Sequence, residues 1–72
     1  MKVRFHKTLY LKTAIDEAIV AFEDAADMTR SSETGHTVVD IRPRDPHEDA
    51  DEVAGEFMNY VLGGTIAKRG NQ

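Results

Sequence analysis

The sequence predicts an α+β domain of two layers: a mixed sheet of three strands, in the order second–third–first, with two helices on one face. Two segments alternate apolar and polar residues in the manner of half-buried strands, and a third, more polar segment forms a hairpin with one of them. Two longer segments repeat their apolar residues at helical spacing. The segments follow one another as β-α-β-β-α, which fits an α+β sandwich. At 72 residues the chain forms one domain at most.

The first strand and the first helix are predicted over residues 2–10 and 11–26. Apolar residues near the start of the strand alternate with basic ones, so one face is buried and the other is wet. The helix carries a continuous stripe of alanine, isoleucine and phenylalanine. Thr13 and Asp16 fit the S/T-x-x-D/E capping signal, which marks the start of a helix.

A hairpin is predicted next, with strands over residues 27–33 and 37–43 around a short loop that contains Gly35. The earlier strand is polar, with only Met28 to bury, and such strands usually lie at a sheet edge. The later strand is apolar and belongs in the centre. The first helix then makes a right-handed crossover between two parallel strands. Pro43 ends the sheet.

The second helix is predicted over residues 49–62, with acidic residues in its first turn. Its apolar arc covers about 200°, where a one-sided surface helix needs only a little over ~100°. Gly63-Gly64 follows, in the position where helices commonly end. The sequence therefore predicts a domain over residues 1–64 and a flexible C-terminal tail over 65–72.

The rim of this wide arc is one candidate binding surface. Packing by the sheet and by the first helix accounts for most of the arc, since such stripes are usually core. Contact with another chain is the alternative for the remainder. The candidate partner interface is then Met58, Tyr60 and Leu62, which include residue types favoured at adaptable interfaces.

The polar edge strand is the other candidate surface. An edge strand leaves backbone N–H and C=O groups free to pair with a peptide or a second subunit. The candidate peptide contacts are Met28, Arg30 and Ser32. The competing interpretation is an ordinary edge that Arg30 and Glu33 protect against pairing.

The sequence supplies no recognisable catalytic, cofactor or metal site. It contains no cysteine, and its three histidines, His6, His36 and His47, lie in different elements without metal-ligand spacing. A glycine-rich phosphate loop is missing. A domain of this size also has little room for a pocket of ~300 Å³ or more. We therefore expect a protein that is not an enzyme and binds no cofactor.

Composition and charge narrow the class of partner. Hydrophobic residues make up 40% of the chain and charged residues 31%, as in folded soluble domains. A net charge of −4 argues against nucleic acid, whose phosphates need a basic footprint. The longest apolar run, 18–22, is far short of the ~20 residues that span a bilayer. We expect a cytoplasmic protein with a protein or peptide partner, or a homodimer.

Two stretches resemble the small D-component (HxsD-like) proteins of His-Xaa-Ser systems. One is the strand that ends in Leu9-Tyr10, followed at once by the helix with Ala14-Ile15. The other is GEFMNYVL at residues 55–62, similar to the E-F-x-N-x-x-L signature in the last helix of that family. The resemblance covers about residues 3–66. Leu11 stands where the family often carries a small polar residue.

The resemblance implies an accessory or binding role in peptide modification. Members of the family are found beside radical SAM proteins and a His-Xaa-Ser repeat protein. The implied partner is thus a radical SAM maturase or its peptide substrate. No catalytic residue is carried over, and the histidines of this chain gain no role from the name.

Overall fold

The computed structural model describes residues 1–70 and shows an α+β fold. Three strands and two helices follow one another in the predicted order, and the hairpin turns at Gly35, whose φ of 78° lies in the left-handed region that glycine adopts readily. The elements are β1 (Lys2–His6), α1 (Lys12–Ala21), β2 (Ala26–Glu33), β3 (His36–Pro43) and α2 (Ala50–Gly70).

The three strands form one sheet in the order β1-β3-β2, which is the predicted order. The prediction of a mixed sheet is wrong, because β1 and β2 both pair with β3 in antiparallel register. The crossover through α1 does leave β1 and β2 parallel to each other. They never pair, however, since β3 lies between them. A central strand that is antiparallel to both neighbours makes every ladder antiparallel.

Both helices cover the same face of the sheet. Asp16 of α1 forms an ion pair of 3.1 Å with Arg30, which places α1 over β2. The ring of Phe57 in α2 packs edge-to-face on Phe5 at a centroid distance of 5.9 Å, which places α2 over β1. The core lies between these layers and consists of Val3, Phe5, Ile15, Ala18, Ala26, Val39, Ile41, Val53, Ala54, Phe57 and Val61.

Helix α1 is shorter than predicted at both ends. It begins after Leu11, whose side chain makes no capping hydrogen bond, and the predicted cap at Thr13 is wrong because Thr13 already lies within the helix. It ends at Ala21, and the backbone N–H of Phe22 closes the last turn on Ala18. The next residues turn sharply into β2, so the alanine stripe continues into strand rather than helix.

Helix α2 is longer than predicted and runs through Gly63-Gly64 to Gly70. The predicted helix end at this glycine pair is therefore wrong, and residues 65–70 of the predicted tail are helical. Packing on α1 explains the difference, because the position of a Cβ on Gly64 would lie 3.4 Å from the Cβ of Ala14. Thr65 is buried and accepts a hydrogen bond from Leu11. Asn71 and Gln72 lie outside the described residues.

Candidate functional site

Within residues 1–70, strand β2 pairs only with β3. Its outer edge is free beyond Ala26, whose backbone N–H donates to the carbonyl of Phe22 at 3.1 Å. The backbone N–H of Arg44 donates to the carbonyl of Ala25 at 3.0 Å, which makes these two residues a hydrogen-bonded pair of the antiparallel ladder. Bonded pairs occur at alternate positions, so Thr29 and its second neighbours bond β3. The remaining residues direct their backbone N–H and C=O groups to the open edge; these include Met28, Arg30 and Ser32.

The same three residues point their side chains toward the helices. They lie opposite Ile41, Val39 and Thr37 of β3, and directly opposed residues share a face of the sheet. The predicted peptide contacts Met28, Arg30 and Ser32 are thus brought together on one row. Each offers backbone groups to the edge and a side chain to the helical layer.

The two charges predicted to protect the edge are held over the faces of the sheet. The Nε of Arg30 forms an ion pair with Oδ1 of Asp16 at 3.1 Å, above the helical face. The Nε of Arg4 bonds Oε1 of Glu33 at 3.0 Å on the opposite face. Neither side chain is therefore directed past the edge of β2, and the strand remains open to pairing.

A groove of about 400 Å³ lies beside this edge. The expectation that so small a domain has little room for such a cavity is wrong. The loop after β1 encloses the groove because it crosses the sheet. Its Lys7 donates a hydrogen bond from Nζ to Oγ of Ser32 at 2.7 Å. The groove is lined by Lys7, Tyr10, Lys12, Arg30, Ser31, Ser32 and Thr37.

The groove is basic although the chain as a whole is acidic. Within residues 1–70 its lining contains three cationic side chains, Lys7, Lys12 and Arg30, and no carboxylate. Tyr10 supplies an apolar wall, and its ring packs edge-to-face on Phe5 at 5.2 Å. No sequence motif joins these residues, because they come from a loop, the first turn of α1 and β2. Only the fold brings them together.

The predicted partner interface on α2 divides into two parts. Met58 and Leu62 are 41% and 43% exposed and lie about 40° apart around the helix, with exposed Ile66 one turn further on. Tyr60 lies on the other side of α2, against the ring of Phe22 at 5.7 Å. We call Met58, Leu62 and Ile66 the α2 ridge. The spacing i, i+4, i+8 places Ile66 on the same helix face as Met58 and Leu62. Because the sequence predicts a tail from residue 65, Ile66 is not part of the predicted interface.

The ionisable groups of the described chain form no metal centre. Residues 1–70 contain no group of three or more metal-ligating side chains placed to hold an ion. The rings of His6 and His36 pack edge-to-face at 5.1 Å on the helix-free face. On the same face, hydrogen bonding and charge from Arg4 hold the pKa of Glu33 below its ordinary value.

Comparison with protein-family models, curated proteins and solved structures finds no match to this chain. Within residues 1–70, neither helix combines the length and the apolar content needed to cross a membrane. The molecule has two candidate binding surfaces: the edge of β2 with its groove, and the α2 ridge.

Proposed function

We propose that this protein is a non-catalytic module that binds an extended peptide by adding it as a fourth strand to β2. The observation that carries the proposal is the row of Met28, Arg30 and Ser32. These residues offer unpaired backbone groups to the edge; Arg30 and Ser32 also line a groove, while Met28 packs against the core. Strand addition of this kind takes affinity from main-chain hydrogen bonds and specificity from alternate side chains.

The groove lies over the helical face of the sheet, next to the side chains of Arg30 and Ser32. Strand β2 forms one side, and the loop with Lys7 and Tyr10 together with the start of α1 forms the other. Ser31 lies between Arg30 and Ser32 on β2 and also lines the groove, although its side chain points to the helix-free face. A peptide paired with β2 directs every second side chain to the helical face, on the side of the sheet where the groove lies.

The resemblance to D-component proteins of His-Xaa-Ser systems supplies a biological setting for this proposal. In that setting the bound peptide is the substrate of a radical SAM maturase, and the module acts as an accessory in the cytoplasm. Co-purification with the maturase or its precursor peptide tests this finer proposal separately from peptide binding itself.

The test of peptide binding is selection from a displayed library of random octapeptides, followed by NMR titration with the best binder. Amide shifts should concentrate along Ala26–Glu33 and the groove. Arg30→Pro should abolish binding, because proline removes the outward N–H without breaking a ladder bond. Arg30→Gln is the matched control, since it loses the same charge but keeps the N–H. A library without binders, or shifts elsewhere, would show the proposal to be wrong.

Self-association through the α2 ridge is the second candidate function, and it makes the protein a structural or regulatory homodimer. Asp51, Met58, Leu62 and Arg69 lie within about 40° of one another around α2. In an antiparallel pair centred on residue 60, Met58 of one copy faces Leu62 of the other. Asp51 of one copy then faces Arg69 of the other, so opposite charges pair at each end of the interface.

A further inference from the structure

We propose that the basic groove beside β2 recognises a carboxylate of the bound peptide, so that the module selects acidic peptides. This inference rests on the proposed peptide-binding function and names the class of ligand. The carboxylate comes either from an Asp or Glu side chain of the peptide or from its free C-terminus. Both sources present the same pair of acceptor oxygens.

The charge of the groove opposes the charge of the chain. Thirteen acidic residues outnumber nine basic ones in the sequence, and the net charge is −4. The lining of the groove nevertheless collects three of those nine cations; Arg30 is paired with Asp16, and Lys7 and Lys12 form no ion pair within residues 1–70. Charge focused in a concave site attracts ligands of opposite sign. The acidic remainder of the surface then repels acidic peptides from other sites.

Donors remain available in the groove. Arg30 is ion-paired with Asp16 at its Nε, and the two terminal nitrogens of its guanidinium carry further N–H donors. Lys7 has three donor hydrogens, of which the Oγ of Ser32 takes one. Lys12 is exposed at the first position of α1, a helix that begins without a side-chain cap. A bound carboxylate would therefore replace water on Lys7 and Arg30, which these contacts already orient, and on the exposed Lys12.

The register of an added strand places the carboxylate. Arg30 and Ser32 direct backbone groups to the edge and side chains to the helical face, so a residue paired beside them follows the same alternation. Its side chain then lies beside Arg30 on the helical face, at the side of the groove that β2 forms. Where a side chain supplies the carboxylate, we expect one acidic position in each bound peptide, with hydroxyl or small residues tolerated at its second neighbours.

The experiment uses the selected octapeptides. Recovered sequences should be enriched in Asp or Glu if a side chain supplies the carboxylate, and with either source binding of the best one should weaken as salt rises. Lys12→Gln should weaken that peptide about fivefold, near the upper range for an exposed ion pair. Lys2→Gln is the matched control because it removes one positive charge outside the groove, and it should leave affinity unchanged.

Synthetic versions of the best binder identify the source of the carboxylate. If the free acid binds and the C-terminal amide does not, the groove binds the carboxylate of the chain terminus. If replacing Asp or Glu by its amide abolishes binding, the groove binds a side-chain carboxylate. Peptides that bind equally well when neutral, with no response to Lys12→Gln, overturn this inference while strand addition stands. Failure to recover any peptide overturns the proposed function as well.

Discussion

The backbone N–H of Leu11 donates a hydrogen bond to Oγ1 of Thr65 at 3.3 Å, although 54 residues separate them in the sequence. The bond joins the start of α1 to the C-terminal half of α2. Thr65 is only 2% exposed, so its hydroxyl is a buried group whose partner is this N–H. The contact fixes the first turn of α1. That turn begins with Lys12, which lines the groove.

Removal of the Thr65 hydroxyl should destabilise the protein. Thr65→Val keeps the shape of the side chain but leaves the N–H of Leu11 without its acceptor, at a cost of about 1 kcal/mol in the free energy of unfolding. Urea denaturation measures the difference. Thr65→Ser keeps the hydroxyl and should lose less. Equal stability of Thr65→Val and the wild type would contradict the assigned bond.

The neighbouring glycines of α2 should respond differently to alanine. A Cβ on Gly63 meets no atom within 4 Å, so Gly63→Ala should raise the free energy of unfolding by about 1 kcal/mol through helix propensity. A Cβ on Gly64 lies 3.4 Å from that of Ala14, so part of this gain is lost to crowding. Thermal unfolding should rank Gly63→Ala above Gly64→Ala; the reverse order would exclude the close approach of the helices.

Arg4→Gln should raise the pKa of Glu33, which Arg4 lowers from an ordinary value of 4.5 through its hydrogen bond and charge. A depressed pKa in the folded state stabilises the protein above the ordinary value, and this contribution is lost as pH falls through the folded pKa. NMR titration of the Glu33 carboxyl measures the change. Arg42→Gln removes an exposed arginine elsewhere and should leave that titration unchanged.

The second candidate function predicts a dimer that sedimentation can detect. Leu62→Asp should raise the dissociation constant at least about tenfold, because it places charge at the centre of the interface. Asp51→Arg should also weaken the dimer, and adding Arg69→Asp should restore it by reversing both ends. Val20→Asp, on the exposed surface of α1, is the control. A wild type that sediments as a monomer at every concentration rules out this candidate.

Much of the fold could be predicted from the sequence because its signals are local. Alternation marks the strands, Gly35 marks the turn, and a polar β2 beside an apolar β3 gives the strand order. The end of α2 could not be predicted, since Gly63-Gly64 is a local stop signal that packing overrides. Buried Thr65 and the contact of Gly64 with Ala14 hold the helix together beyond that point.

The candidate site was predicted in part. The row of Met28, Arg30 and Ser32 follows from the alternation of a single strand, which the sequence shows directly. The groove could not be predicted from the sequence, because a loop that crosses the sheet brings Lys7, Lys12 and Arg30 together. The competing interpretation is that Arg30 and Glu33 protect the polar edge. That interpretation depends on where the charges point, which is decided by Asp16 and Arg4 on other elements.

The position of those two charges has a consequence for the unoccupied protein. An unguarded strand edge is a template for any extended chain, including another copy of β2. We therefore expect the protein to associate edge to edge at high concentration. Under the proposed function, a bound peptide covers this edge and keeps the protein in solution.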